Sequence, residues 1–140
     1  MIQPYIRKIN YYETDRMGIT HHSNYIRIME EARVDFLDQI GCSFAHLEAL
    51  GIVSPVLSVN AEYKHTTTFD DTISVKVSLL EFNGIKAKIG YVMTLGDVVC
   101  CTAESRHCFL NKEGIPLRMK KEFPEIYELL CNQLAKTDAD

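Results

Sequence analysis

The spacing of hydrophobic residues changes near residue 51 of this 140-residue chain, and the change limits the folds that the chain can adopt. Over residues 25–40 apolar side chains recur at i, i+3, i+4, i+7, i+11 and i+15, which is the pattern of an amphipathic helix. Over residues 57–63 and 73–79 they alternate with polar ones, as in half-buried strands. One long helix followed by strands predicts an α+β domain rather than a parallel βαβ fold.

Turn and cap residues mark where the predicted elements begin and end. Ser23 or Asn24 can cap the long helix at its start, and Gly41 can end it in a left-handed conformation. Asn83-Gly84 and Gly96-Asp97 predict two-residue hairpin turns, because these residues tolerate positive φ. Strands joined by such turns form an antiparallel sheet, which we expect to wrap around the long helix.

The other segments complete this order of elements. In chain order, the pattern predicts a strand over residues 3–12, a polar turn over 13–18, a second helix over 44–50, strands over 85–95 and 98–110, and an amphipathic helix behind Pro124. An open sheet leaves unpaired N–H and C=O groups along its edge. The order therefore also predicts pairing between copies of the chain, at least as a homodimer.

Composition narrows the class of protein. With 46% hydrophobic and 24% charged residues, residues 1–140 are expected to form a single globular domain. The net charge of −4 argues against a general nucleic-acid binder, because contacts to phosphates need a basic surface. No stretch of about 18 uncharged apolar residues and no N-terminal apolar segment occurs, which predicts a cytoplasmic protein without a membrane span. The five cysteines contain no C-x-x-C pair and are expected to be reduced.

A motif at the entry of the long helix carries the functional signal. Residues 11–25 read YYETDRMGITHHSNY, with Asp15 three residues before Gly18 and His22-Ser23-Asn24-Tyr25 at the start of the helix. This pattern resembles the opening motif of the 4-hydroxybenzoyl-CoA thioesterase-like family of the hotdog superfamily. The resemblance continues through Glu31-Ala32-Arg33 and Thr68-Phe69-Asp70-Asp71.

The resemblance implies both a fold and an activity. It implies a hotdog fold of the α+β class, in which an antiparallel sheet wraps around a long central helix, and assembly as a homodimer or homotetramer. It also implies hydrolysis of an acyl-CoA thioester to the free acid and CoA. No cofactor is implied, since coenzyme A is part of the substrate.

The same resemblance assigns roles to residues of the motif. Asp15 is implied as general base or nucleophile, and a carboxylate can perform either role. The backbone N–H of His22 is implied as the oxyanion donor, in the first turn of a helix whose N–H groups lack partners. Tyr11 is implied as a further residue of the catalytic site. Gly18, which permits close backbone approach, is expected to contact the substrate, as are Asn24 and Tyr25.

The phosphates of coenzyme A need basic groups at the protein surface. Lys86, Lys88 and Arg106 are candidates, because they occupy predicted outward positions on strands or lie near strand ends. Solvated surface charges are the alternative interpretation of all three.

Other interpretations remain open at this point. Asp15 is also an ordinary turn residue, and the adjacent pair His21-His22 lacks the further ligands that a metal site needs, so no metal is expected. Cysteine catalysis with His65 or His107 is disfavoured, since the cysteines at 100, 101 and 108 lie in a strand pattern that predicts burial. A hotdog hydratase or dehydratase and a noncatalytic acyl-CoA-binding protein are the competing functions.

Overall fold

The computed structural model describes residues 2–138 of the chain and the side chains of residues 2–134. In chain order the elements are β1 (Tyr5–Lys8), a 3₁₀ turn (Tyr11–Glu13), α1 (Ser23–Gln39), α2 (Phe44–Ala49), β2 (Val56–Tyr63), β3 (Thr72–Phe82), β4 (Lys86–Leu95), β5 (Val98–Cys108), α3 (Met119–Glu122) and α4 (Pro124–Asp138). The strands form one antiparallel sheet in the order β1-β3-β4-β5-β2. The predicted α+β class and the antiparallel sheet are confirmed.

The long helix α1 packs on one face of the sheet, which we call the inner face. This face carries Val75 and Val77 of β3, opposite Met93 and Tyr91 of β4. Five side chains of α1 are buried in the same cluster: Tyr25, Ile28, Met29, Ala32 and Phe36. Burying one large apolar side chain stabilises a fold by about 1.5–3 kcal/mol. The contact between α1 and the sheet is therefore a main source of stability, and the buried face of α1 is the one that the helical spacing predicted.

A chain of hydrogen bonds also ties α1 to the sheet. Arg33 donates to the Tyr91 hydroxyl at 3.1 Å. The Tyr91 hydroxyl lies 2.7 Å from Ser105 Oγ, which lies 2.7 Å from Nε2 of His107. Arginine can only donate, whereas each hydroxyl can donate or accept, so one order in which every group is satisfied runs from Arg33 through Tyr91 and Ser105 to His107.

His107 is held neutral in this setting. Its side chain is buried, and burial together with the nearby charge of Arg33 lowers its pKa from 6.5 to about 4. A neutral ring has one nitrogen that accepts a hydrogen bond, so Nε2 can accept from Ser105 when the proton is on Nδ1. Structure and protonation state are thus mutually consistent.

One predicted element near the N-terminus is corrected. The strand expected over residues 3–12 ends at Lys8, because Ile9 turns into the core and Tyr11–Glu13 forms a 3₁₀ turn. Asn10 and Glu13 close that turn by reciprocal hydrogen bonds. The local polar pairing thus ends the strand earlier than the mixed pattern of residues 3–12 indicated.

The turn predictions have mixed outcomes. Gly96-Asp97 joins β4 to β5 as a two-residue turn, as predicted. The connection between β3 and β4 takes in residues 83–85, one residue more than the Asn83-Gly84 turn that was expected. The Asn83 carboxamide oxygen accepts the N–H groups of both Ile85 and Lys86, and this cap shapes the longer connection.

The edge strand β2 differs from its predicted burial. Its alternation predicted one buried face, but Leu57 is 51%, Val59 38% and Tyr63 48% exposed. β2 pairs only with β5 and ends the sheet, so its second edge has no strand beside it in the described chain.

No helix within residues 2–138 combines the length and apolar character that crossing a membrane requires.

The protonation of His107 generates a testable dependence of stability on pH. Above pH 6.5 the ring is neutral in both the folded and the unfolded chain. Below pH 6.5 His107 becomes protonated in the unfolded chain, whereas in the folded protein it stays neutral down to a pH of about 4. The free energy of unfolding therefore decreases by roughly 3 kcal/mol as the pH is lowered from 6.5 to about 4. In His107→Gln, the slope of unfolding free energy against pH should be lower by up to about 1.4 kcal/mol per pH unit.

Urea unfolding between pH 7 and 4.5, at a fixed protein concentration, measures this slope. The matched control is His46→Gln, because His46 is exposed on α2. A slope in His107→Gln equal to that of the unmodified protein would show that His107 does not titrate in this way.

Candidate active site

Asp15 begins a short loop between Thr14 and Thr20, which pair as an isolated antiparallel bridge. The Asp15 N–H donates to the carbonyl of Ile19 at 2.8 Å, and its Oδ1 accepts the N–H of Met17 at 2.8 Å. Among the described residues its Oδ2 has no hydrogen-bond partner. Asp15 is therefore a turn residue and, with one free carboxylate oxygen, also available for chemistry.

The segment between β2 and β3 fixes this loop from outside. Thr68 Oγ1 donates to the carbonyl of Gly18 at 2.7 Å. The N–H of Thr20 donates to the carbonyl of Thr67 at 2.8 Å, and their buried hydroxyls lie 2.6 Å apart. Gly18 has φ +80°, a left-handed conformation that a residue with Cβ rarely adopts.

The start of α1 is built differently from the sequence prediction. The helix begins at Ser23 with His22 at the N-cap position, and neither Ser23 nor Asn24 caps it. The Asn24 carboxamide instead donates to the carbonyl of Glu13 at 2.8 Å, and Ser23 Oγ lies 2.8 Å from Nδ1 of His21. The Asn24 side chain, which the sequence predicted as a cap, thus bonds to the distant carbonyl of Glu13 instead.

This arrangement leaves one N–H group open. The N–H groups of residues 21, 23, 24 and 25 each have an acceptor within the motif. The N–H of His22 has none among the described residues. It lies at the start of α1, where the helix dipole favours negative charge.

Two aromatic rings contact the ring of His22. The rings of His21 and His22 stack with centroids 4.3 Å apart, and the Tyr63 ring meets His22 edge-on at 6.2 Å. The Tyr63 hydroxyl donates to the His22 carbonyl at 3.2 Å. Sequence reasoning missed Tyr63, which lies on β2, 41 residues from His22. No local signal could have identified it, because the contact depends on the position of β2 in the sheet.

Tyr11 and Tyr25 lie near the site but are engaged elsewhere. The Tyr11 ring is 75% exposed and contacts Phe69 at 5.5 Å. Within the described residues it makes no hydrogen bond to Asp15 or His22. The Tyr25 hydroxyl lies 2.9 Å from Thr67 Oγ1 and is buried.

The three basic candidates come together in one cleft. Lys86, Lys88 and Arg106 line a cleft of about 560 Å³. Lys88 Nζ lies 3.2 Å from both Glu81 and Glu104, whereas no ion pair of Lys86 or Arg106 occurs among the described residues. In the described residues, Lys86 and Arg106 are thus the cations of this cleft that remain uncompensated.

The basic cleft lies away from His22 within one chain. Tyr63, which contacts His22, pairs with Cys101, and Arg106 follows five residues later along β5. At about 3.3 Å per residue, this offset is roughly 17 Å along the strand. The structure therefore does not bring these sets of residues together in one subunit.

The alternative chemistries find little support. Burial raises the pKa of the Cys101 thiol to about 11, which disfavours the reactive thiolate. Nε2 of His107 lies 2.7 Å from Ser105 Oγ, and among the described residues its side chain makes no hydrogen bond to a cysteine. Within residues 2–138 no group of three His, Cys, Asp or Glu side chains is arranged to hold a metal ion.

The sequence profile of the thioesterase-like superfamily matches residues 9–132 of this chain. A provisionally named esterase of Aquifex aeolicus (strain VF5) is 34% identical over 122 residues, which is 87% of this chain and 94% of the relative. The provisionally named acyl-CoA thioesterase YneP of Bacillus subtilis (strain 168) is 32% identical over 120 residues, 84% of this chain and 87% of that protein.

The fold has a solved counterpart as well. A DHNA-CoA thioesterase from Staphylococcus aureus superposes with a TM-score of 0.91 at 25% identity, covering 98% of this chain and 93% of that one. The long helix on an antiparallel sheet is thus the architecture of a known thioesterase structure.

Proposed function

The chain belongs to the thioesterase-like superfamily, whose profile spans residues 9–132, and on that premise we propose that it hydrolyses an acyl-CoA thioester at Asp15. YneP and the Staphylococcus aureus structure carry names of acyl-CoA thioesterases, which supports this enzyme class. The observation that carries the proposal is a pair of groups: a carboxylate oxygen of Asp15 and the N–H of His22, each without a protein partner among the described residues.

Hydrolysis needs a nucleophile and a donor for the developing oxyanion. Asp15 Oδ2 either takes a proton from water, which then attacks the thioester carbonyl, or attacks that carbon itself to form an anhydride that water cleaves. In both routes the carbonyl oxygen gains negative charge, and the His22 N–H is the proposed donor to it. The carbon–sulfur bond then breaks and coenzyme A leaves as a thiolate. No cofactor is needed.

The remaining motif residues are proposed to shape the substrate site. Gly18 leaves its backbone open for close approach, since a Cβ built there meets no atom within 4 Å. Asn24 and Tyr25 are proposed to contact the substrate at the helix start, although their polar groups already bond to the protein. Tyr11 is proposed to border the site, with its exposed ring beside Phe69.

The basic cleft is proposed to hold the phosphates of coenzyme A across a homodimer. If two copies of β2 pair antiparallel about their centre, the Ser58 end of one strand lies beside the Tyr63 end of the other. Arg106 pairs with Ser58, and Tyr63 bonds to His22. The pairing therefore brings the cleft of one subunit toward the Asp15 loop of its partner. Further association to a homotetramer, a single domain over residues 1–140 and a cytoplasmic location stay predictions.

Replacement of Asp15 tests the chemistry. Asp15→Asn should lower kcat by roughly 10²-fold or more, because the amide can act neither as base nor as nucleophile. Its Oδ1 can still accept the N–H of Met17, so the loop should be retained. Release of free thiol from a panel of acyl-CoA thioesters measures the effect.

His22→Ala is the matched comparison at the oxyanion site. Its N–H survives the substitution, so the loss of kcat should be clearly smaller than that of Asp15→Asn. Near-complete activity in a folded Asp15→Asn protein would refute the assignment. A loss in His22→Ala as large as that in Asp15→Asn would mean that the imidazole takes part.

The phosphate cleft predicts a selective effect on KM. The double variant Lys86→Gln with Arg106→Gln should raise KM for an acyl-CoA by several-fold to about 10-fold, because the lost charges act at a distance from the carbonyl. With the N-acetylcysteamine thioester of the same acid, which lacks the phosphates, KM should not change. Lys120→Gln, at an exposed site on α3, is the control. Equal effects on both substrates would place the phosphates elsewhere.

The proposed edge pairing predicts the oligomeric state. Sedimentation at micromolar concentration should show at least a homodimer, and Val59→Asp should shift it toward monomer, since the change puts a charge on the exposed edge strand β2. Val98→Asp, at a comparably exposed valine of β5, should leave the assembly unchanged. A monomer with full activity at high dilution would disprove the shared site.

A further inference from the structure

One guanidinium joins the loop that carries Asp15 to the helix that carries the His22 N–H. Arg7 of β1 donates from Nε and Nη2 to the two carboxylate oxygens of Glu31 on α1, both at 2.9 Å. It donates from Nη2 to Glu13 at 2.8 Å, from Nη1 to the other Glu13 oxygen, and from Nη1 to the carbonyl of Lys8 at 3.1 Å. All five N–H donors of the side chain are thus engaged.

This cluster is shielded from water on the side of the loop. The Glu13 side chain is 3% exposed and that of Arg7 12%, whereas that of Glu31 is 38% exposed. Burial would raise the pKa of Glu13, but hydrogen bonds from Arg7 and from the Asn10 N–H outweigh it and hold the pKa below its usual range. The hydrogen bonds from Arg7 likewise lower the pKa of Glu31. Both carboxylates are therefore kept charged for Arg7.

The main chain of Glu13 extends this contact to the reacting groups. Its carbonyl accepts the N–H of His21 at 2.8 Å and the carboxamide of Asn24 at 2.8 Å. Asp15 follows Glu13 by two residues, and His22 follows His21 directly. The side chain of Glu13 is thus fixed to Arg7, while its carbonyl is fixed to the start of α1.

We propose that Arg7 is a positioning residue for thioester hydrolysis, which sets the distance between the Asp15 carboxylate and the His22 N–H by holding Glu13 and Glu31 together. The inference rests on the proposed function of Asp15. It adds a residue that lies outside the motif and contacts neither the carboxylate nor the N–H.

The geometry favours positioning over general support of the fold. Arg7 is bidentate to both carboxylates, and a lysine cannot reproduce that fork. β1 is also held to β3 by main-chain pairing over Tyr5–Lys8, which does not involve the guanidinium. Displacement of catalytic groups by about 1 Å can lower a rate 10²-fold. Loss of the hydrogen bonds from Arg7 to Glu13 and Glu31 should therefore lower the rate of the chemical step.

Three variants test the proposal. Arg7→Met removes the charge and the fork, Arg7→Lys keeps only the charge, and Lys8→Met removes a neighbouring charge from an exposed pair with Asp70 at 3.6 Å. We expect kcat for an acyl-CoA to fall roughly 10- to 100-fold in Arg7→Met, with KM changed less than about threefold. Arg7→Lys should restore only part of kcat, and Lys8→Met should match the unmodified enzyme.

Amide hydrogen exchange provides a readout that does not depend on activity. In Arg7→Met the His21 N–H, which bonds to the Glu13 carbonyl, should exchange at least about 10-fold faster, while amides of the β3 and β4 ladder keep their protection. Unchanged kcat in a folded Arg7→Met enzyme, or unchanged exchange at His21, overturns the proposal. Equal loss of protection across the whole sheet also overturns it, since the role would then be general stability.

Different measurements would contradict the roles of Arg7 and of Asp15. If the unmodified protein releases no thiol, or Asp15→Asn stays active, the proposed function fails, and the exchange at His21 still decides whether Arg7 holds the loop. If Arg7→Met does not fold, Arg7→Lys and Glu31→Gln take its place, because each removes only some of the hydrogen bonds between Arg7 and the two carboxylates. Full kcat in both of these folded variants would likewise overturn the role of Arg7.

Discussion

The packing of α1 on the inner face of the sheet is the constraint on which the rest of the structure depends. Its apolar face, with Ile28, Ala32 and Phe36 almost completely buried, allows the helix little freedom to rotate or slide. Because the helix is fixed, its first residues are fixed too, and the N–H of His22 is presented at a defined place. The site at the start of α1 is therefore a consequence of the core rather than an addition to it.

Hydrogen bonds and ion pairs hold the loop that the packing of α1 does not fix. The core orients the helix, but the loop from Glu13 to Thr20 has few apolar side chains to bury and must be held by hydrogen bonds. Thr67 and Thr68 hold one side of the loop, and the Glu13 carbonyl holds the other. Arg7 connects this loop to α1, because it bonds to Glu13 of the loop and to Glu31 of the helix. This connection accounts for a largely buried Arg7–Glu13 pair beside a surface loop.

Local chemistry made much of this structure predictable from sequence. The helical stripe of residues 25–40, the turn at Gly96-Asp97 and the exposed loop around Asp15 all follow from spacings within a few residues. The prediction that Asn24 caps α1 was wrong, because its side chain bonds to the Glu13 carbonyl, which only the folded loop brings near. The exposure of β2 was missed because the order of strands places it at the edge, and alternation alone carries no information about that order. Tyr63 was missed for the same reason.

The exposed edge and the proposed site share one strand. Tyr63 ends β2, and its hydroxyl donates to the carbonyl of His22, the residue whose own N–H is open. Because β2 is paired with β5 on one side only, it is less restrained than an inner strand of the sheet. A second chain paired along β2 would restrain the strand and so steady the contact between Tyr63 and His22. Assembly would then be linked to the proposed catalysis through main-chain geometry, without any residue of the partner having to enter the reaction.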